Sequence, residues 1–215
     1  MATNSARFWP LTGVLFGVLG LAGFASAPGA PAQSATGDAI QAFYRQHGAA
    51  ARTADTLLAL AACALVVYAG HLRATLRPTA EAVSAVMLAG AAILAAGSAA
   101  YFGFDFTLAG SAGDVGGPAA QALNALALGM YLPVAVGGLV FGLATGVAIL
   151  RSDRLPRWTG YAAVVLGLVA GSPLGILGLA GLFLWAIVTG IVGSVRAQRR
   201  PTLGPAAVGL PEHAG

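Results

Sequence analysis

Charge is what this sequence has least of. Only 8% of its 215 residues are Asp, Glu, Lys or Arg, and 58% are hydrophobic. A soluble domain carries roughly 25% charged residues. A globule this poor in charge could not cover its surface in water, whereas lipid removes that requirement. A single bundle of helices in a bilayer is therefore the natural reading, and length sets no count of soluble domains. Lysine is missing altogether: the eleven basic residues are all arginine, and the net charge is +4. These arginines fall into short groups between apolar runs and form no single basic face, which excludes nucleic acid as a partner. Arginine also suits the phosphates of a membrane interface.

Chemistry-bearing residues are equally scarce. The one cysteine, Cys63, lies inside an apolar run. That excludes an intramolecular disulfide and any cysteine-built metal set. Of the three histidines, His47, His71 and His213, only His71 touches a long apolar run, at its end. A haem between two helical histidines is thus not expected. A His-Glu-x-x-His helix, a phosphate-cradling loop with its lysine and a Gly-x-Ser-x-Gly elbow are all missing. The expectation is a non-enzymatic protein with no cofactor and no metal.

What is present is a series of long apolar runs. A spanning helix needs about 20 apolar residues. Candidates lie at about 8–25, 54–70, 79–102, 118–150, 159–172 and 174–195. The run at 118–150 is too long for one crossing at ~1.5 Å per residue, and Pro133 should kink it. The last apolar block, Thr159–Val195, is about two spans long. The stretch "GSP" at Gly171–Pro173 is its natural turn, and a single broken span is the alternative. The tail at 201–215 holds Pro and Gly without periodicity and should be mobile. "MATNSAR", an apolar core and "ASAPGAPA" also resemble a secretory signal peptide, with cleavage conceivable after Ala32. Retention of the first run as a span is the preferred reading.

Orientation follows from the arginines, because positive short loops stay in the cytoplasm. Arg7, Arg73, Arg77, Arg151, Arg154, Arg157, Arg196, Arg199 and Arg200 lie at alternating boundaries, which fall on one side if there are six spans. Only Arg45 and Arg52 fall on the other. The fold expected is all-α: a six-span transmembrane bundle, residues 1–200, with both termini cytoplasmic.

The outer loop carries the densest charge, in "DAIQAFYRQHGAAARTADT", Asp38–Thr56. Ile40, Phe43, Tyr44 and His47 share one helical face, and Asp38, Gln41 and Arg45 share another. Thr36 can cap the start and Gly48 suits the end. These signals describe a short amphipathic helix at about 37–47 on the outer surface. Beyond it, Arg52 and Asp55 are three residues apart and can pair if the next helix starts early. Asp55 and Asp105 should lie at the same outer face as solvated helix ends. Glu81 can meet the positive end of its own helix. Asn124 is the one amide within or near a span, and such amides more often bridge helices than bind ligand. Arg52, Asp55, Asp105 and Asn124 are the candidates for a ligand or ion path, with Tyr131 beside them. Gly138, Gly142 and Gly146 offer a smooth helix-packing strip, for internal packing or a homo-oligomer.

"AIQAFYRQH" followed by "LLALAACALVVYAGHLRATLR" resembles uncharacterised six-helix membrane proteins of high-GC bacteria, a domain of unknown function. The resemblance implies a bacterial cytoplasmic-membrane location and no activity. The function expected is an accessory, partner-binding or sensor subunit. A small-solute transporter or channel subunit is the alternative, and an intramembrane enzyme the last. Arginines added to the Gly171–Pro173 turn should disturb insertion if that turn lies outside. Unchanged topology, with the new charges facing the cytoplasm in cysteine-accessibility mapping, would remove the six-span reading.

Overall fold

Thr36 is extended, and its hydroxyl oxygen accepts the Ala39 amide at 3.4 Å. From this cap one helix runs unbroken for 40 residues, Gly37–Leu76, a length of about 60 Å. The computed structural model describes residues 11–198. Among them the regular structure is all helix: α1 (Leu11–Ser26), α2 (Gly37–Leu76), α3 (Glu81–Ser111), α4 (Gly117–Gly129), α5 (Tyr131–Leu150), α6 (Arg157–Ala170) and α7 (Gly175–Gln198). The tail at 201–215, Arg7, Arg199, Arg200 and the first residues of the run at 8–25 lie outside the described residues.

Four stretches are long and apolar enough to cross a membrane: Gly37–Leu76, Glu81–Ser111, Gly117–Leu150 and Gly175–Arg196. α1 and α6 are apolar but shorter. The outward faces are greasy too: Leu132, Tyr161, Val165, Ile176 and Leu177 are all more than half exposed. So large an apolar exterior marks a surface made for lipid or for other protein.

Two expectations need correction. The amphipathic segment at 37–47 is not a separate surface helix, because Gly48 does not end it. The helix passes through Gly48, where a Cβ would come within 2.9 Å of the Ala109 carbonyl oxygen, so glycine lets α2 lie directly on α3. The predicted face is right and its partner is different. Ile40 and Tyr44 are buried by protein, in a small core with Ala51, Leu108, Ala112 and Ala120. The run at 118–150 does break, at Met130 rather than at the proline. A proline ring opposes the carbonyl four residues back, which for Pro133 is Gly129, the last residue of α4.

The molecule thus has two cores in line. The main one is built by α1, α3, α5, α6, α7 and the second half of α2, around Phe16, Leu65, Tyr68, Met87, Phe141 and Trp185. The small one lies beyond it, where α2 begins, α3 ends and α4 packs across them. Within the main core, Trp185 donates Nε1–H to the Thr159 carbonyl (2.8 Å) and Tyr68 shares a hydrogen bond with Thr189. These contacts tie α6 and α2 to α7. The chain reverses between Ala170 and Gly175, and α7 runs back along α6, as the "GSP" turn predicts.

Helices meet at glycines. The predicted strip Gly138, Gly142 and Gly146 faces α6 inside the molecule: a Cβ on Gly142 would lie 2.5 Å from the Gly167 Cα. A second seam, between α3 and α5, sets Gly90 and Gly97 against the α5 backbone and Gly137 against Leu94. The four-residue spacing used in the sequence does not reveal it, since these glycines come from two helices. Gly142→Val should lower the thermal midpoint in detergent, by about 1–3 kcal/mol of stability or more. A Cβ added at Gly70 would meet nothing within 4 Å, so Gly70→Ala should be neutral or stabilising by about 0.5–1 kcal/mol.

Candidate functional site

Tyr44 and Asp55 are eleven residues apart, about three helical turns, so a continuous α2 places them on one stripe. On α3, Tyr101 and Asp105 are one turn apart. The two stripes face one another at the seam between the cores. The Tyr44 hydroxyl donates to Asp105 Oδ1. The Asp55 carboxyl is within hydrogen-bonding reach of Asp105, and Tyr101 stands near both. Asp55 is only 4% exposed and its Oδ2 has no hydrogen-bond partner. Asp105 is part-buried.

This overturns the solvated-end reading of Asp55. Two neighbouring carboxyls, one buried and one part-buried, repel unless one positive charge, a proton or a cation, lies between them. Arg52 does not supply it. Arg52 is exposed, in a shallow depression with Thr53, Thr56 and Phe106. The one ion pair among the described residues is Arg77–Glu81 at 3.1 Å, at the far end of the bundle. The expected Arg52–Asp55 pair therefore does not form, although an offset of three residues would allow it: Asp55 is buried while Arg52 stays exposed.

Asn124 stands elsewhere. It is buried, and its Nδ2 donates to the Ala32 carbonyl at 3.4 Å; Gln121 donates to the Ala35 carbonyl at 3.2 Å. Both hold the α1–α2 linker onto α4, so Asn124 ties down a linker where a bridge between two helices was expected. Asn124 does not join the carboxyl pair. His47 Nδ1–H donates to the Phe43 carbonyl at 3.0 Å, and the imidazole stacks on the Phe43 ring.

Two hollows flank the carboxyl pair. One is a cavity of about 150 Å³ inside the main core, lined by Phe16, Leu58, Tyr101, Tyr131 and Phe183 among others. The other is a groove of about 350 Å³ on the outside of α2 and α3, with Asp55 in its wall beside Ala59, Cys63, Phe102 and Phe106. Phe102 lines both and separates them. Asp105 and Asn124 line neither, so the four polar candidates do not share one hollow. Among the described residues, no group of three or more His, Cys, Asp and Glu is placed to hold a metal.

Tyr44 and Tyr101 are the members of this site that sequence reasoning missed. The signal was the eleven-residue interval from Tyr44 to Asp55, hidden by ending the helix at Gly48. No known protein family, curated protein or solved structure matches the chain.

Tyr44→Phe should cost about 0.5–1.5 kcal/mol, because it removes the hydrogen bond to the part-buried Asp105. Combined with Asp105→Asn, it should show a coupling of about 0.5–3 kcal/mol in a double-mutant cycle of unfolding in detergent. Strict additivity would mean that the two side chains do not interact.

Proposed function

We propose that the chain is an integral protein of the bacterial cytoplasmic membrane, with six spans and both termini cytoplasmic. We propose further that it acts without catalysis, as an accessory or sensor subunit whose receptive part is the outer seam. Its orientation is supported by the placement of charge. Arg73, Arg77, Arg151, Arg154, Arg157 and Arg196 lie at the helix ends of one side of the bundle, where Arg196 donates to the Arg154 carbonyl at 3.0 Å. The carboxyl pair lies toward the other side, with Arg45 and Arg52. α6, at 14 residues, is about 21 Å long and shorter than the ~30 Å hydrocarbon layer. Its turn into α7 would therefore sit recessed from the outer surface.

The observation that carries the sensor reading over transport is the apolar interior beyond the carboxyl pair. Leu65, Tyr68, Leu72 and Met87 fill the axis from the seam toward the arginine side, each no more than 4% exposed. The polar contacts beside them, Tyr68 with Thr189 and Trp185 with the Thr159 carbonyl, are satisfied and buried. An aqueous path along Asp55, Asp105, Asn124 and Tyr131 would need these residues to line a common hollow, and they do not. A buried charge cluster that stops at a seam suits a device that detects something and passes on a change of packing.

Reconstituted in liposomes, the purified chain should move neither protons nor monovalent cations faster than protein-free vesicles, as read by entrapped dyes. Purified in mild detergent, it should bring down a membrane partner. Solute movement by the chain alone would overturn the sensor reading and restore the transporter.

A further inference from the structure

We infer that the groove between α2 and α3 is a binding site for a lipophilic primary amine, its ammonium on the Asp55 carboxyl and its apolar body along Ala59, Cys63, Phe102 and Phe106. This deepens the sensor reading, and rests on it, by naming the class of ligand sensed.

Three observations converge on it. Asp55 Oδ2 is buried, without a partner, on a residue that is 4% exposed and forms part of the groove wall. A buried carboxylate oxygen without a partner is costly. Folding retains it here although the exposed Arg52 begins only one turn away. The neighbouring charge is of the same sign: Asp105 lies within hydrogen-bonding reach and already accepts from Tyr44. An ammonium would bring the single positive charge that the pair needs, together with donors for the open oxygen. The remaining wall is almost wholly apolar, and two phenylalanine rings frame it. Rings of this kind suit the body of an amphiphile, and their faces attract a nearby cation.

The groups around Asp55 leave little competition for this role. On α2 these are Tyr44 and the exposed Arg52, and on α3 Tyr101 and Asp105. α1 and α4 carry no ionisable side chain at all. Among the described residues no cation is paired with either carboxyl, which leaves a proton or a ligand to bring the positive charge. The groove opens on the exterior of the bundle, next to the exposed Leu60 and Phe106. A ligand partitioned into the proposed bilayer would meet it sideways, without crossing the packed interior. The cavity behind Phe102 does not compete for the ammonium, since neither carboxyl lines it.

The test uses the full chain in phosphatidylcholine nanodiscs, with empty nanodiscs as the blank, and titrates phenethylamine against its uncharged counterpart 2-phenylethanol by calorimetry. Saturable phenethylamine binding at least tenfold tighter than 2-phenylethanol is expected. Asp55→Asn should lose that preference by tenfold or more, and Ala99→Phe, at an exposed alanine of the groove wall, should fill the groove and abolish binding while the fold is retained by circular dichroism. If Asp55→Asn does not fold, the wild-type preference of amine over alcohol and the Ala99→Phe variant still decide. Equal binding of amine and alcohol, or no saturable binding, overturns the proposal. So does a folded Asp55→Asn that binds phenethylamine as the wild type does. Phosphatidylethanolamine in the nanodisc should leave phenethylamine binding unchanged; if it blocks binding, the ammonium belongs to a lipid headgroup and the free-amine occupant is wrong. Failure of amine binding removes the ligand, whereas solute movement in liposomes removes the sensor, so the two readings fail separately.

Discussion

Everything in this molecule depends on how closely its helix backbones can approach. Where both solvent and side chains are apolar, water exclusion does little to join helices, and dense packing of small residues does the work. Gly37 lies on Gly117, Gly48 on Ala109, Gly90 on Phe141, Gly142 on Gly167 and Gly178 on Ala170. These contacts join α2 to α4, α2 to α3, α3 to α5, α5 to α6 and α6 to α7. A methyl group at most of these points would collide with the backbone opposite. The glycines that make helices poor in water make this bundle possible.

The carboxyl pair follows from the same constraint. α2 continues through Gly48 because glycine there permits contact with α3, and that continuity sets Tyr44 and Asp55 on a single stripe. Close approach of α2 and α3 then takes most of Asp55 out of solvent, leaving it at 4% exposure in the wall of the groove. The result is a charge-bearing side chain kept in a seam, beside a like group, with one oxygen unsatisfied. Such an arrangement costs stability, and a protein with seven acidic residues in all has little structural need of it.

Much of the fold was legible in the residues. Among the described residues the apolar runs fall on helices, although 54–70 is only part of α2 and 118–150 covers both α4 and α5. Thr36 as a cap, the turn near Gly171–Pro173 and the face shared by Ile40, Tyr44 and His47 were readable from local chemistry, because caps, turns and helical faces depend on neighbours in sequence. Gly48 misleads for the same reason. A glycine after an amphipathic segment signals a helix end by local rules, and only the Ala109 backbone lying across it makes it an interior residue.

Composition alone decided the class of object, since so few charges cannot solvate a globule. Periodicity and punctuation decided that it is built of helices and roughly where they turn. Pairing was decided only in three dimensions. Arg52 and Asp55 are neighbours in sequence and look like partners, yet they do not pair. Asp55 and Asp105 are fifty residues apart and repel, yet they share a seam. Opposite charges attract in any chain, but which groups lose water together depends on which backbones can touch, and that is a property of the packed helices.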